Sequence, residues 1–134
     1  MSLRAKTVFR ITGGEEFAFD EIADGAKLSH GTFFMKYEGD MQGDGVLGEL
    51  KSYCSDGDAI IFGFERFTGS LNGKYGSFVL EHIGKFENGK LISRRAVLPN
   101  SGTDELKGLR GEIDFSADKA DEFALTLNYY YEES

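Results

Sequence analysis

Three residues of this chain could do proton chemistry together: Glu65, His82 and Arg95. A carboxylate beside an imidazole sets its tautomer and basicity, and a guanidinium nearby can hold an anion. They lie far apart in the chain, so only strand pairing can bring them together. Asn72-Gly73 and Asn88-Gly89 supply that pairing. Asn-Gly between two alternating runs is a strong hairpin signal, because a type I′ turn needs positive φ at both central residues. With two-residue loops, Glu65 pairs with Leu80, Gly63 with His82, and His82 with Arg95. Glu65 and His82 then become diagonal neighbours on one face, roughly 7–8 Å apart at Cα, while Arg95 stands directly opposite His82.

Which face is the inside depends on the preceding strand. Asp56-Gly57, read as another two-residue turn, pairs Glu65 with Gly48, Gly63 with Leu50 and Ile61 with Ser52. The series Val46, Gly48, Leu50, Ser52, Cys54 is small and mostly apolar, whereas Glu49 and Lys51 favour water. The face with Glu65, His82 and Arg95 is therefore assigned to the interior, with Leu47, Glu49, Lys51 and Tyr53 outside. Phe67, Phe78, Leu80, Ser93 and Val97 share the inner face. Leu109, Gly111, Ile113 and Phe115 alternate in the same sense, as do Phe123, Leu125, Leu127, Tyr129 and Tyr131.

The expected site follows. Glu65 and His82 form an acid–base pair, and Arg95, Cys54, Phe67, Phe78, Leu80 and Tyr129 line the lumen around it. The plainer reading is a buried ionic network that satisfies only itself, since a charge inside a barrel must be paired. Cys54 reads as a small lining residue rather than a nucleophile, because neither His82 nor His30 can be placed beside it. His30 is expected on a strand surface. On the outer face, Phe62, Phe64, Val79, Ile83, Ile92 and Leu98 adjoin one another, and Arg66 and Glu81 can pair at their rim. Such a patch is rarely left bare on a monomer. A subunit interface through Phe62, Phe64, Val79 and Ile83 is expected, unless the segment from Glu16 to Lys27 covers it.

Eight alternating runs hold these residues. They span Arg4 to Ile11, Leu28 to Glu38, Val46 to Cys54, Ala59 to Ser70, Lys74 to Glu87, Lys90 to Leu98, Leu109 to Ser116 and Phe123 to Tyr131. Gly13-Gly14 ends the first, and Glu15 to Lys27 reads as a connecting loop with one helical turn. No long helical period occurs. The fold class is all-β: a closed antiparallel up-and-down barrel of about eight strands, which leaves no sheet edge unpaired. A two-sheet sandwich is the alternative. The 134 residues suit a single domain, and 18 Gly with 1 Pro suit closely spaced turns.

Charge and composition narrow the partners. A net charge of -8 repels phosphate backbones, so no nucleic-acid partner is expected. The start, from Met1 to Lys6, has no apolar run of signal length, and no stretch is apolar enough to span or lie on a membrane. One cysteine cannot form an internal disulfide, which suits a reducing cytoplasm. No His/Cys cluster has metal-site spacing and no phosphate-cradling loop occurs, so no cofactor and no metal are expected.

Ser101-Gly102-Thr103, followed by Leu106-Lys107-Gly108-Leu109-Arg110-Gly111, resembles the glycine-rich turn of the allene oxide cyclase and dirigent barrels. The runs Phe64 to Ser70 and Gly76 to His82, with Ser101 to Thr103, resemble a bacterial family of unknown function that shares this calycin-like barrel. That likeness covers nearly the whole chain. It implies the fold and names no activity, and the cyclase likeness carries over no catalytic residue. In the turn itself, Leu106 and Leu109 can plug a barrel end. Three functions stay open. One is binding a small apolar molecule in the lumen. Another is acid–base isomerisation or cyclisation there, as the cyclase likeness loosely implies. The third is a ligand-free structural oligomer.

Overall fold

The computed structural model describes residues 2–117 and 122–132. Eight strands follow one another: β1 (Leu3–Ala23), β2 (Ala26–Gly39), β3 (Met41–Tyr53), β4 (Ala59–Leu71), β5 (Lys74–Glu87), β6 (Lys90–Val97), β7 (Leu109–Ala117) and β8 (Glu122–Tyr131). Each pairs antiparallel with its chain neighbour, and β1 pairs with β8 to close the ring into a barrel. A 3₁₀ turn, Asp104–Leu106, interrupts the strand series.

The Asn-Gly turns behave as their chemistry requires. Asn72 and Gly73 have φ of 46° and 86°, and Asn88 and Gly89 have 52° and 78°, so both residues of each turn are left-handed. Leu71 faces Lys74, Glu65 faces Leu80 and His82 faces Arg95, as the loop lengths dictate.

The β3–β4 connection is different. Cys54 N–H donates to the Asp58 carbonyl at 2.8 Å, leaving Ser55, Asp56 and Gly57 as a three-residue loop. Gly57 takes φ of 95°, and the Asp58 N–H donates to Asp56 Oδ1 at 3.0 Å. An odd loop shifts register by one, and a shift of one sends every β3 side chain to the opposite face. Leu47 therefore faces Glu65, Glu49 faces Gly63 and Lys51 faces Ile61. The expected inner series Val46, Gly48, Leu50, Ser52 and Cys54 points outward, and Val46 and Leu50 are 48% and 53% exposed. Met41, Gly43, Gly45, Leu47, Glu49, Lys51 and Tyr53 take the inner positions.

Two further expectations change. Glu15 to Lys27 is neither loop nor helix: β1 runs on to Ala23 and pairs with β2 down to Ala26, with register shifts after Ile11, Ala18 and Glu21. Among the described residues, β1 pairs with β8 from Leu3 to Arg10. The sixth strand stops at Val97, so the first half of β5 needs another partner. Ser101 to Thr103 provide it. Thr103 N–H donates to the Ser77 carbonyl at 2.9 Å, and the Ser101 and Thr103 hydroxyls accept the N–H groups of Val79 and Ser77 at 3.0 Å each. Gly102 allows this crossing, because a Cβ there would collide with the Leu106 carbonyl. Leu106 and Leu109 are fully buried and close that end of the barrel.

Candidate functional site

The lumen is filled at one end and open at the other. Phe67, Phe78, Leu71, Leu80, Ile113 and Leu127 are fully buried and pack with Leu106 into a solid plug. The rings of Phe67 and Phe78 pack tilted by 37°, 5.2 Å apart between centroids. At the other end a cavity of about 380 Å³ remains, walled by Phe9, Phe33, Met35, Leu47, Ile61 and Phe123, with His82, Ser93 and Arg95 as its deep polar groups.

Strand pairing sets the polar cluster between plug and cavity. Glu65 is fully buried, and its two oxygens are shared out. Tyr37 Oη on β2 donates to Oε2 at 2.5 Å, and His82 Nε2 on β5 lies 2.8 Å from Oε1. Space for the carboxylate is made by Gly45 on β3, where a Cβ would fall on Oε2. Arg95 on β6 comes to 4.0 Å of Oε1 through Nη1, too far to donate to it. Its guanidinium lies against the rings of Phe115 and Phe9, 4.4 and 5.1 Å from their centroids, and Nε donates to Ser93 Oγ at 3.3 Å. Arg95 is only 5% exposed, and its Nη1 makes no hydrogen bond among the described residues.

Protonation follows from these contacts. Burial alone would raise the Glu65 carboxyl, but the His82 hydrogen bond, the charge of Arg95 and the Tyr37 hydroxyl together hold it below the ordinary carboxylate value. Burial, joined by the charge of Arg95, keeps His82 below its ordinary value against the pull of Glu65. Burial and the Glu65 charge raise the Tyr37 phenol well above its usual value. At neutral pH the cluster thus holds an ionised Glu65, a neutral His82 and a charged Arg95. Neutral His82 gives its Nε2–H to Glu65, so Nδ1 keeps a free lone pair.

A second polar group rims the cavity. Lys51 Nζ meets Glu49 at 3.0 Å and Glu16 at 2.9 Å, and Glu16 also accepts from Tyr53 Oη at 2.6 Å and Ser29 Oγ at 2.8 Å. Burial tends to raise Glu16, but its bonds to Lys51, Tyr53 and Ser29 lower it. Lys51 is held strongly protonated by Glu49 and Glu16 despite its burial. Glu16 comes from the β1 arm, so the arm is tied to the cavity wall.

The structure brings Glu65, His82 and Arg95 onto one inner face, as turn parity indicates. Glu65 itself does not line the cavity; His82 stands between them. Cys54 is exposed in the β3–β4 connection, away from the lumen, because of the odd loop. Phe67, Phe78 and Leu80 belong to the plug and do not reach the cavity, and Tyr129 sits at the plugged end, accepting from Asn72 Nδ2 at 2.6 Å. His30 is exposed beside Phe17, whose ring centroid lies 4.3 Å away. Outside, Phe62, Phe64, Ile83 and Ile92 are 40–54% exposed, and the β1 arm leaves them bare. Arg66 donates to Ser77 Oγ at 3.1 Å rather than pairing with Glu81.

Tyr37, Gly45, Phe9 and the Glu49–Lys51–Tyr53 series are site residues that sequence reasoning missed. Tyr37 was legible in the alternation Phe33, Met35, Tyr37 on β2, had the inner face of that strand been assigned. Among the described residues no group of His, Cys, Asp and Glu could hold a metal ion, and no helix is long and apolar enough to cross a membrane.

An eight-stranded antiparallel ring with one half-filled lumen is a β protein whose natural site is its open end. The chain belongs to the DUF3224 family of proteins of unknown function, whose model matches residues 5–129. It is similar to the crystal structure of a protein of unknown function from that family in Shewanella oneidensis MR-1. The two are 24% identical with a TM-score of 0.80, over 100% of this chain and 98% of the other. A search of curated proteins finds no match.

Proposed function

We propose that this protein binds a small, mostly apolar molecule in the open half of its barrel, with the polar end of the ligand at Arg95 and His82. The observation that carries this reading is the Arg95 guanidinium in the wall of an apolar cavity, 4.0 Å from the Glu65 carboxylate and with a buried Nη1 that makes no hydrogen bond among the described residues. Burying an unsatisfied donor is unfavourable, and a ligand acceptor would offset that cost. The aromatic and aliphatic wall supplies affinity, and the few polar groups supply orientation. Native mass spectrometry of the protein taken from its own host tests this. A bound small molecule in the wild type, lost in Arg95→Met, is the expected result. An empty protein that also leaves 1-anilinonaphthalene-8-sulfonate dark argues for a ligand-free structural role.

Acid–base catalysis is the second reading, and the free Nδ1 of His82 favours it. Glu65, sealed from the cavity, would orient His82 rather than meet a substrate. The likeness of the turn around Ser101 to Gly111 to allene oxide cyclase and dirigent barrels supports kinship in barrel architecture. A cytoplasmic home fits the lone cysteine. Self-association through Phe62, Phe64, Val79 and Ile83 belongs to the same proposal, with a second copy of this chain as the partner. The bare aromatics on the outer sheet support it.

A further inference from the structure

We propose that the ligand is a small apolar monocarboxylate, and that its binding leaves Arg95 paired with the carboxylate and His82 protonated. This rests on the binding reading above and narrows its chemistry.

The guanidinium is the first reason. It is planar and permanently charged, and its fork matches a carboxylate. Glu65 does not use it: Tyr37 and His82 already serve both Glu65 oxygens, and Nη1 stays 4.0 Å away. Two aromatic rings hold the guanidinium and Ser93 fixes Nε, so the fork is oriented before any ligand arrives. A phosphate-like dianion is disfavoured, because the other cation of the cavity, Lys51, is taken up by Glu49 and Glu16.

Charge balance is the second reason. The charged and titratable groups facing His82 are Glu65 on β4, Arg95 on β6, Glu49 and Lys51 on β3, and Tyr37 on β2 behind Glu65. Without ligand, Glu65 and Arg95 offset each other, and Arg95 helps keep His82 neutral. A carboxylate at Arg95 offsets that cation and leaves the deep site with one surplus negative charge. His82 is the group able to absorb it. An acid entering as RCOOH gives its proton to Nδ1; one entering as RCOO⁻ draws the proton from solvent. Either way the deep site ends neutral, with Nε2–H still donating to Glu65. The lining of Phe9, Phe33, Phe86 and Phe123 suits an aromatic or aliphatic body.

Isothermal titration of the full chain with 2-naphthoate and 2-naphthol at pH 7, in two buffers of different ionisation enthalpy, tests this. The expected result is tighter binding of naphthoate by about tenfold or more, the scale of a charge-assisted hydrogen bond. About one proton should be taken up per naphthoate and none per naphthol. Arg95→Met should lose the preference for naphthoate while still binding naphthol, which also shows that it folds. Arg95→Lys should keep part of the preference, and His82→Gln should bind naphthoate without proton uptake. Naphthol binding as tightly as naphthoate, or naphthoate binding without proton uptake by the wild type, overturns this inference and leaves the binding reading standing. Failure of both probes to bind overturns the two together.

Discussion

Gly45 lies beneath the carboxylate of Glu65, in the one place on β3 where a side chain would displace the centre of the cluster. The two residues sit on neighbouring strands, with Gly45 facing Phe67 and Glu65 facing Leu47. A buried carboxylate needs partners on every side, and it also needs room. Tyr37 and His82 supply the partners and Gly45 supplies the room.

Gly45→Ala should therefore destabilise the protein by about 1–3 kcal/mol, the usual cost of overpacking a filled site. Gly48→Ala is the control. It lies on the same strand, points outward and has nothing near its missing Cβ. It should change stability by no more than about 0.5 kcal/mol. Urea unfolding of both variants measures the difference. Equal effects would place the wrong face of β3 inside.

That control bears on what the sequence showed. Asn72-Gly73 and Asn88-Gly89 made β4, β5 and β6 legible, because turn chemistry fixed loop length and loop length fixed parity. Asp56-Gly57 failed, since only Gly57 is left-handed and Asp56 caps the loop through Asp58 N–H. The inner face of β4 to β6 nevertheless came out right, by two errors that cancelled. A two-residue turn slips the register of β3 by one, and the apolar series of β3 faces outward rather than inward. Glu49 and Lys51 point inward because they stand at the open rim, where Lys51 pairs with both Glu49 and Glu16. Hydrophobic alternation sorts faces only where one face is dry. At a barrel mouth the inner face is wet, so charged residues belong there. The Glu16 partnership was illegible for another reason: it joins an arm of β1 to β3 across β2, beyond any local turn rule. The cluster of Glu65, His82 and Arg95 was readable, whereas its separation from the plug residues Phe67, Phe78 and Leu80 depended on packing that periodicity does not encode.

The outer sheet carries the next prediction. Phe62 and Phe64 meet edge to face at 5.3 Å in the open, with Ile83 beside Phe62 on β5. Sedimentation equilibrium at roughly tens of micromolar, where standard-size interfaces hold, should show a dimer or larger species. Phe64→Asp should shift it to monomer with an unchanged far-ultraviolet spectrum. A monomeric wild type at that concentration would sink the interface.

Acid should weaken the fold in two separate windows. The folded state holds His82 below its ordinary value, so its contribution is present above about pH 6.5 and is lost as pH falls from there toward the folded value. Glu65 is also lowered, so its contribution persists above about pH 4.3 and fades below it. Unfolding free energy measured from pH 8 to 5 should therefore decline on the acid side. His82→Gln should flatten that decline and also weaken the limb below about pH 4.3, because His82 is one of the groups that hold Glu65 low. A wild-type profile flat between pH 8 and 5 would contradict a buried neutral His82.

The two charges of the cluster should not be equally costly to remove. Glu65→Gln leaves Arg95 buried with no anion and one side-chain hydrogen bond, to Ser93. Losing one partner of a buried pair typically costs about 3–5 kcal/mol. Arg95→Met leaves Glu65 with both the Tyr37 and His82 hydrogen bonds, so its cost should be smaller, about 1–3 kcal/mol. The methionine also keeps contact with Phe9 and Phe115, where a thioether packs well. In the double variant neither charge is present, and its loss should fall below the sum of the single losses by at least about 1 kcal/mol. Urea unfolding of the four proteins at pH 7 closes this cycle. Strict additivity would mean that the 4.0 Å approach of Nη1 to Oε1 carries no coupling. In that case Arg95 is held by its aromatic neighbours and Ser93, and its charge is free for whatever enters the cavity.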